Sequence, residues 1–275
     1  MKTKHKIIIG SSADMKEIKK SSVHLIVTSP PYPMIEMWDE MFKKVGAETY
    51  EQMHKYLGKI WKKCYNTLVE GGILCINIGD ATRRINGGFK LYPNHSKITE
   101  ICEKIGFQSL PFILWKKATN KPNAFLGSGF LPPNAYVTQD SEFILIFRKG
   151  NLRKYEDTSI RHKSAYTKEE RDKWFSQTWE IKGARQKRND LMRRTAEYPE
   201  EIVYRLIRMF SCEGETVLDP FLGTGTTTKV AIDNNRHSIG YETEKELIPI
   251  IKEKIGANQK KLSGNDHELE IIEGD

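Results

Sequence analysis

Thr28-Ser29-Pro30-Pro31-Tyr32 follows directly on the apolar run Val23-His24-Leu25-Ile26-Val27. A strand that meets two prolines and an aromatic ring cannot continue as a strand. Pro30 and Pro31 lack backbone N–H groups and fix φ, so the loop is stiff and extended. Their carbonyls remain able to accept hydrogen bonds, Ser29 adds a hydroxyl, and Tyr32 adds a flat ring. Such a loop suits gripping an amino group on a flat heteroaromatic ring, of which a nucleobase is the first candidate.

A second set of residues lies far along the chain. Thr216-Val217-Leu218-Asp219 reads as a buried strand that runs into Pro220-Phe221-Leu222-Gly223-Thr224-Gly225-Thr226-Thr227-Thr228 and then a helix. A strand, a glycine-rich turn and a helix start make a nucleotide-cofactor cradle, with Gly223 and Gly225 allowing close backbone approach. The third glycine of the dinucleotide fingerprint is absent, Thr228 standing in its place. The next strand, at 237–242, ends in Glu242, and an acid at that tip can bind both hydroxyls of a ribose. The same acid can instead serve the helix that follows by meeting its dipole.

These groups need a scaffold. Apolar runs predict strands over 6–9, 23–27, 73–78, 110–115, 142–147, 216–219 and 238–241, and amphipathic runs predict helices over 50–68, 96–105, 199–210, 226–233 and 245–255. Tyr56, Leu57, Ile60, Trp61, Tyr65 and Leu68 recur at the spacing of one buried helix face, which Gly71-Gly72 is expected to end. The alternation argues an α/β fold, a doubly wound and mostly parallel seven-stranded sheet with helices on both faces. The run at 269–272 can add a short further strand. Three stretches depart from the pattern and read as long functional loops: 80–94, 119–134 and 150–195.

The chain of 275 residues has a hydrophobic fraction of 38% and can bury a substantial core. No apolar run reaches the roughly 18–20 residues of a membrane span. Ile7-Ile8-Ile9 after the basic start is too short for a secretory signal. Cys64, Cys75, Cys102 and Cys212 are scattered without metal-ligand spacing, which points to buried thiols, a reducing cytoplasm and no metal site. The net charge is +8, and 148–194 alone holds 15 Lys+Arg against 7 Asp+Glu, a difference of +8. A basic segment on a balanced scaffold suggests a polyanion-binding surface, although a solvated helical insertion has the same composition.

Taken together, the two motifs resemble the amino-methyltransferases of DNA, over about 6–255. Residues 28–32 resemble the catalytic loop of that family, 219–227 its cofactor loop, Ala196-Glu197-Tyr198-Pro199-Glu200 the segment that covers the methionine end of the cofactor, and 139–149 the strand that walls the base pocket. The order, catalytic loop first and basic segment between the motifs, resembles the beta class, with its target-recognition region between the two halves. The resemblance implies one catalytic domain over 1–275, with 150–195 as a basic recognition insertion.

It further implies S-adenosylmethionine as cofactor and double-stranded DNA as substrate, with a flipped-out base. A restriction endonuclease acting on the same site is the implied partner. Serine at position 29 resembles the enzymes that methylate cytosine N4, where adenine N6 enzymes carry aspartate. Ser29, Pro30, Pro31 and Tyr32 are then catalytic, the hydroxyl of Ser29 and the carbonyl of Pro30 accepting the amine hydrogens and Tyr32 stacking on the base. Asp219, Phe221, Gly223, Gly225, Thr226, Glu242, Tyr198 and Pro199 bind the cofactor. Asp219 either orients the loop or meets the amino-acid part. The family often has Gly-Asp near the start. Here Gly10 is followed by Ser11, which takes that place at the adenine end, or a backbone group does. Arg185, Lys187, Arg188, Arg193 and Arg194 are candidate phosphate contacts. An RNA cytidine methyltransferase, an adenine N6 enzyme and a non-catalytic nucleic-acid-binding module are the rival readings.

Overall fold

In the computed structural model, residues 2–85, 88–117, 132–133, 137, 139–183, 197–256 and 267–274 are described. Among them nine strands form one sheet. They are β1 (Thr3–Ile9), β2 (Val23–Thr28), β3 (Leu68–Ile78), β6 (Phe107–Lys117), β7 (Ser141–Lys149), β8 (Thr178–Ile181), β9 (Thr216–Asp219), β10 (His237–Glu242) and β11 (His267–Glu273). Their spatial order is β11-β1-β10-β9-β2-β3-β7-β6-β8. β7 runs antiparallel to both its neighbours, β3 and β6, and every other pairing is parallel. A separate antiparallel ribbon, β4 (Ala81–Ile85) with β5 (Gly88–Tyr92), follows β3.

The central strands are apolar along their length because both faces of the sheet are covered. In β2, Ile26 enters one core layer while Leu25 and Val27 enter the opposite one. The first layer lies under α2 (Tyr50–Thr67) and α3 (Asn94–Ile105), and the second under α6 (Glu200–Phe210) and α7 (Thr226–Asp233). A short helix, α1 (Asp39–Lys44), precedes α2 and adds Phe42 to the first layer. α2 starts at a reciprocal cap, where Thr49 Oγ1 accepts from Gln52 N at 3.3 Å and Gln52 Oε1 accepts from Thr49 N at 3.0 Å. Its buried face carries Leu57, Ile60, Trp61 and Cys64, at the spacing the sequence predicts.

The architecture is the expected one, with a nine-stranded rather than a seven-stranded sheet. β11 closes one edge beside β1, and β8 closes the other beside β6. β8 is the less obvious addition, because it lies inside the basic segment. Trp179 and Ile181 alternate with exposed Thr178 and Glu180, so its core face is two side chains long. The loop expected over 80–94 contains the β4–β5 ribbon. α2 ends at Thr67, before the glycine pair. Gly71, at φ +71°, instead admits the Arg153 backbone, whose nitrogen would lie 2.4 Å from a Cβ there.

The described part of the basic segment is packed on the scaffold. It contains α4 (Ser159–Lys163), α5 (Lys168–Trp174) and β8. Arg153 Nη1 donates to Glu215 Oε1 at 2.9 Å, beside Tyr155 OH at 3.1 Å. Trp174 and Trp179 are buried in the second core layer, and the indole N–H of Trp179 donates to Trp174 O at 2.9 Å. Trp179 is therefore the anchor of β8. Trp179→Ala is expected to cost about 3–5 kcal/mol of stability, read from urea unfolding. An unchanged unfolding midpoint would show that β8 is not part of the cooperative core.

Candidate active site

Parallel pairing of β2 with β9 (Leu25↔Val217, Ile26↔Leu218) brings their carboxyl ends side by side. The proline loop after β2 and the glycine loop after β9 therefore open on one edge of the sheet. Asp219 joins them. Its Oδ1 accepts from Thr28 Oγ1 at 2.7 Å and from Phe221 N at 3.0 Å, and its Oδ2 accepts from Thr227 Oγ1 at 2.6 Å. The Tyr198 hydroxyl stands 2.7 Å from Thr227 Oγ1 and 3.4 Å from Oδ2. Burial raises the Asp219 carboxyl above the usual aspartate range against the pull of these donors. Both Asp219 oxygens are thus engaged by the two loops and by Tyr198.

Beyond Asp219, Gly223 has φ +57°, and nothing lies within 4 Å of the place a Cβ would take. Its N–H donates to Glu242 Oε2 at 2.8 Å. Gly225 has φ +88°, and a Cβ there would meet Ile251 Cγ2 at 3.1 Å. The hydroxyls of Thr224 and Thr226 donate to Glu197 Oε1 at 2.8 and 2.7 Å, and the Lys254 ammonium pairs with the same oxygen. Glu242 sits at the tip of β10, where burial pushes its carboxyl up to about 7. Phe221 meets the Trp61 ring edge-on at 6.1 Å. Pro199 is buried at the start of α6. Ser11 is exposed, its Oγ accepting from Ala13 N at 3.2 Å, one residue past Gly10, whose N–H donates to Glu242 O at 2.9 Å.

On the other side of the cleft a second network holds the aromatic ring. Ser29 Oγ donates to the Tyr32 hydroxyl at 3.3 Å, which donates to Glu142 Oε2 at 2.8 Å. Asn77 Nδ2 donates to both, at 2.7 Å each. Burial first, then the Glu142 charge, holds the Tyr32 phenol well above its usual range. Gly79 makes room, since a Cβ there would stand 3.1 Å from Tyr32 Cε2. Glu142 Oε1 pairs with the Lys117 ammonium. Asn77 Oδ1 is buried with no partner among the described residues. Between the two networks lies a cleft of about 350 Å3, of the size that takes a small molecule.

Ser29, Pro30, Tyr32, Phe221, Gly223, Thr226 and Tyr198 all line that cleft. Pro31 is buried, and Pro31, Asp219, Gly225, Pro199 and Glu242 are not part of the lining. Arg185, Lys187, Arg188, Arg193 and Arg194 lie outside the described residues, as does most of 119–134. Residues 33–39, which follow the proline loop, supply Ile35, Met37 and Trp38 to the cleft. They are tied down by Arg83 of β4, which donates to Met34 O at 2.7 Å and to Asp39 Oδ1 at 2.5 Å. Asn77 and Lys117 were not singled out by sequence reasoning, and Glu142 and Glu197 fell within segments of noted resemblance without a role of their own. A visible signal existed for Asn77, a polar side chain inside the apolar run at 73–78, and for Glu142, which opens the apolar run at 143–147. The four cysteines are free and buried, and no group of metal ligands occurs among the described residues.

Residues 23–253 match the family described as DNA methylase. The chain is 60% identical to the type II methyltransferase M.MjaI of Methanocaldococcus jannaschii, over 98% of this chain and 97% of that protein. It is 46% identical to M.MthZI of Methanothermobacter thermautotrophicus, over 94% of this chain and 79% of that one. Among solved structures, a Thermus thermophilus protein assigned as a DNA modification methylase, complexed with S-adenosyl-L-methionine, aligns with a TM-score of 0.76. It is 30% identical and covers 96% of this chain and 99% of its own. The PvuII DNA methyltransferase (cytosine-N4-specific) shares the fold, with a TM-score of 0.63 at 15% identity, over 98% of this chain and 96% of that one.

The Glu242 carboxyl sets a pH dependence. Its folded pKa, about 7, lies above the usual 4.5, so burial favours the neutral form. The protein is therefore stabilised by this group below about pH 4.5 and loses that contribution as pH rises through about 7. In urea unfolding without ligand, Glu242→Gln should match the parent at low pH and exceed it at pH 8. The expected gain is on the order of 3 kcal/mol at most. A pH-independent difference between the two proteins would remove the assigned cause.

Proposed function

The chain belongs to the DNA methylase family, and from that membership we propose that it methylates the exocyclic N4 amine of a cytosine within a specific double-stranded DNA sequence. At the coarser level it is an S-adenosylmethionine-dependent DNA methyltransferase of the type found in restriction–modification systems. The cleft fits the cofactor. Gly223 leaves open space where a side chain would intrude, and Glu242 stands at the strand tip beside it. Gly223, Phe221, Thr226 and Tyr198 would hold the cofactor from the β9 side, with Glu242 toward its ribose and Ser11 at the same edge. When bound, S-adenosylmethionine supplies an electrophilic methyl group.

One observation carries the proposal, the direction of the hydrogen bonds from Ser29 through Tyr32 to Glu142. The carboxylate can only accept, so Tyr32 gives it its proton, and Tyr32 in turn accepts from Ser29. The Ser29 oxygen is left as an acceptor toward the cleft, beside Pro30. An exocyclic amine is a poor nucleophile because its lone pair is delocalised into the ring. Accepting its hydrogens at Ser29 Oγ and Pro30 O favours a pyramidal nitrogen with the lone pair turned out of the ring plane. This is positioning and electrostatic preorganisation. Tyr32, fixed at its hydroxyl, offers its ring for stacking on a base flipped out of the duplex. The Ser-Pro-Pro-Tyr loop supports cytosine over adenine. We further propose that Arg185, Lys187, Arg188, Arg193 and Arg194 contact phosphates, that the enzyme works in the cytoplasm, and that an endonuclease of the same site is its partner.

Incubation with labelled S-adenosylmethionine and unmodified amplified DNA or total RNA, followed by nucleoside mass spectrometry, tests the substrate. N4-methyldeoxycytidine is the expected product. N6-methyldeoxyadenosine would overturn the base, and product in RNA alone would overturn DNA. Ser29→Ala should lower the rate about a hundredfold or more while leaving cofactor affinity unchanged. Replacing one of the five basic residues by Gln should weaken DNA binding on every sequence alike. It should also flatten the slope of log affinity against log salt by about 0.9. A slope unaltered by all five replacements would exclude that segment from the DNA contact.

A further inference from the structure

We propose that Lys117 is the residue that discriminates the target base, its ammonium reading the ring-nitrogen and carbonyl edge of a cytosine. This rests on the reading of the cleft as a base pocket. Four polar groups follow one another along the wall that carries Tyr32. Ser29 contacts the Tyr32 hydroxyl, that hydroxyl contacts Glu142, and Glu142 contacts Lys117. The wall therefore presents an acceptor at one end and a cationic donor at the other.

The two candidate bases differ at that far end. Cytosine carries, in order along its pairing edge, an amine, a ring nitrogen and a carbonyl oxygen. Adenine carries an amine, a ring nitrogen and a C–H. With either amine at Ser29, an ammonium beyond Tyr32 finds a carbonyl oxygen in cytosine and a carbon-bound hydrogen in adenine. Lys117 has N–H donors beyond the one given to Glu142. Glu142 cannot play this part itself, because its carboxylate only accepts, here from Tyr32, Asn77 and Lys117, and a carbonyl oxygen needs a donor.

The lysine is also built to stay in place. Its backbone N–H donates to Asp140 O at 3.0 Å, and it pairs with Ile181 of β8. Its Nζ stands 5.2 Å from the centroid of the Trp115 ring, within cation–π range. That ring is fixed in turn, the indole N–H donating to Ile181 O at 2.8 Å. The side chain is 42% exposed, which leaves the ammonium open to the cleft it lines. Because β8 comes from the basic segment, the segment proposed to hold DNA also sets the wall that reads the base.

The test compares Lys117→Met and Lys117→Arg with the parent on unmodified amplified DNA, with labelled S-adenosylmethionine, nucleoside mass spectrometry and a separate measurement of cofactor affinity. Water reaches a half-exposed ammonium, so the expected loss is moderate. The Met variant should form N4-methyldeoxycytidine about ten- to a hundredfold more slowly, with cofactor affinity unchanged and the ratio of N6-methyldeoxyadenosine to N4-methyldeoxycytidine raised. The Arg variant should recover most of the rate. Parental rate and product ratio in the Met variant would overturn the proposal. So would joint loss of cofactor binding and activity in both Lys117→Met and Lys117→Arg, which marks a structural role. N6-methyldeoxyadenosine as the main product of the parent would instead overturn the cytosine reading, whatever the variants do.

Discussion

The buried carboxylate of Asp219 is the constraint on which the site depends. An acid with 1% of its surface exposed has lost its hydration, and only a full set of donors makes its burial tolerable. Those donors are Thr28 at the end of β2, Phe221 and Thr227 of the glycine loop, and Tyr198 from the segment before α6. They come from three stretches of chain, so satisfying one buried acid fixes the mutual position of the proline loop, the glycine loop and the segment before α6. Two strands that share an edge would bring these loops near one another. The shared acid sets their spacing.

The Tyr32 side of the cleft is organised by the same physics in a different arrangement. Tyr32, Asn77 and Glu142 meet at the cleft because β7 runs antiparallel to β3, with Ile78 opposite Phe143. That reversal brings the first residues of β7 to the edge where β3 ends. A parallel strand in this position would present its last residues there instead. Lys117 arrives by the same rule, since β6 is antiparallel to β7 and ends where β7 begins. One reversed strand thus places an acid and a base from two strands at the rim of the cleft.

Local pattern made much of this legible. Alternating apolar runs located the seven inner strands, and the two loops carried enough chemistry to be recognised as a pair. β8 was hidden because Trp179 and Ile181 are its whole core face, within a stretch whose charges suggest solvent. Lys117 has no local signature at all, and Glu197 stands out only as part of the 196–200 segment. Each is an ordinary charged residue until a partner distant in sequence, Glu142 or Lys254, is brought to it. Asn77 did break an apolar pattern, and Glu142 opens one. Nothing local, however, says that they face Tyr32, because the β3–β7 register is set by packing across the sheet.

That register also gives a physical reason for serine at position 29. The Tyr32 hydroxyl has one proton, and Glu142 takes it. Whatever stands next to the hydroxyl at position 29 must therefore donate, and a serine can. An aspartate there would bring an acceptor-only charge against an oxygen that has no proton left for it, close to the charge of Glu142. Like charges at such range disfavour ionisation of both. Within this network Ser29 is required by Glu142 before it expresses any preference for a base. The loop residue and the wall acid form a matched pair, and the ammonium of Lys117 at the far end of the wall neutralises that acid.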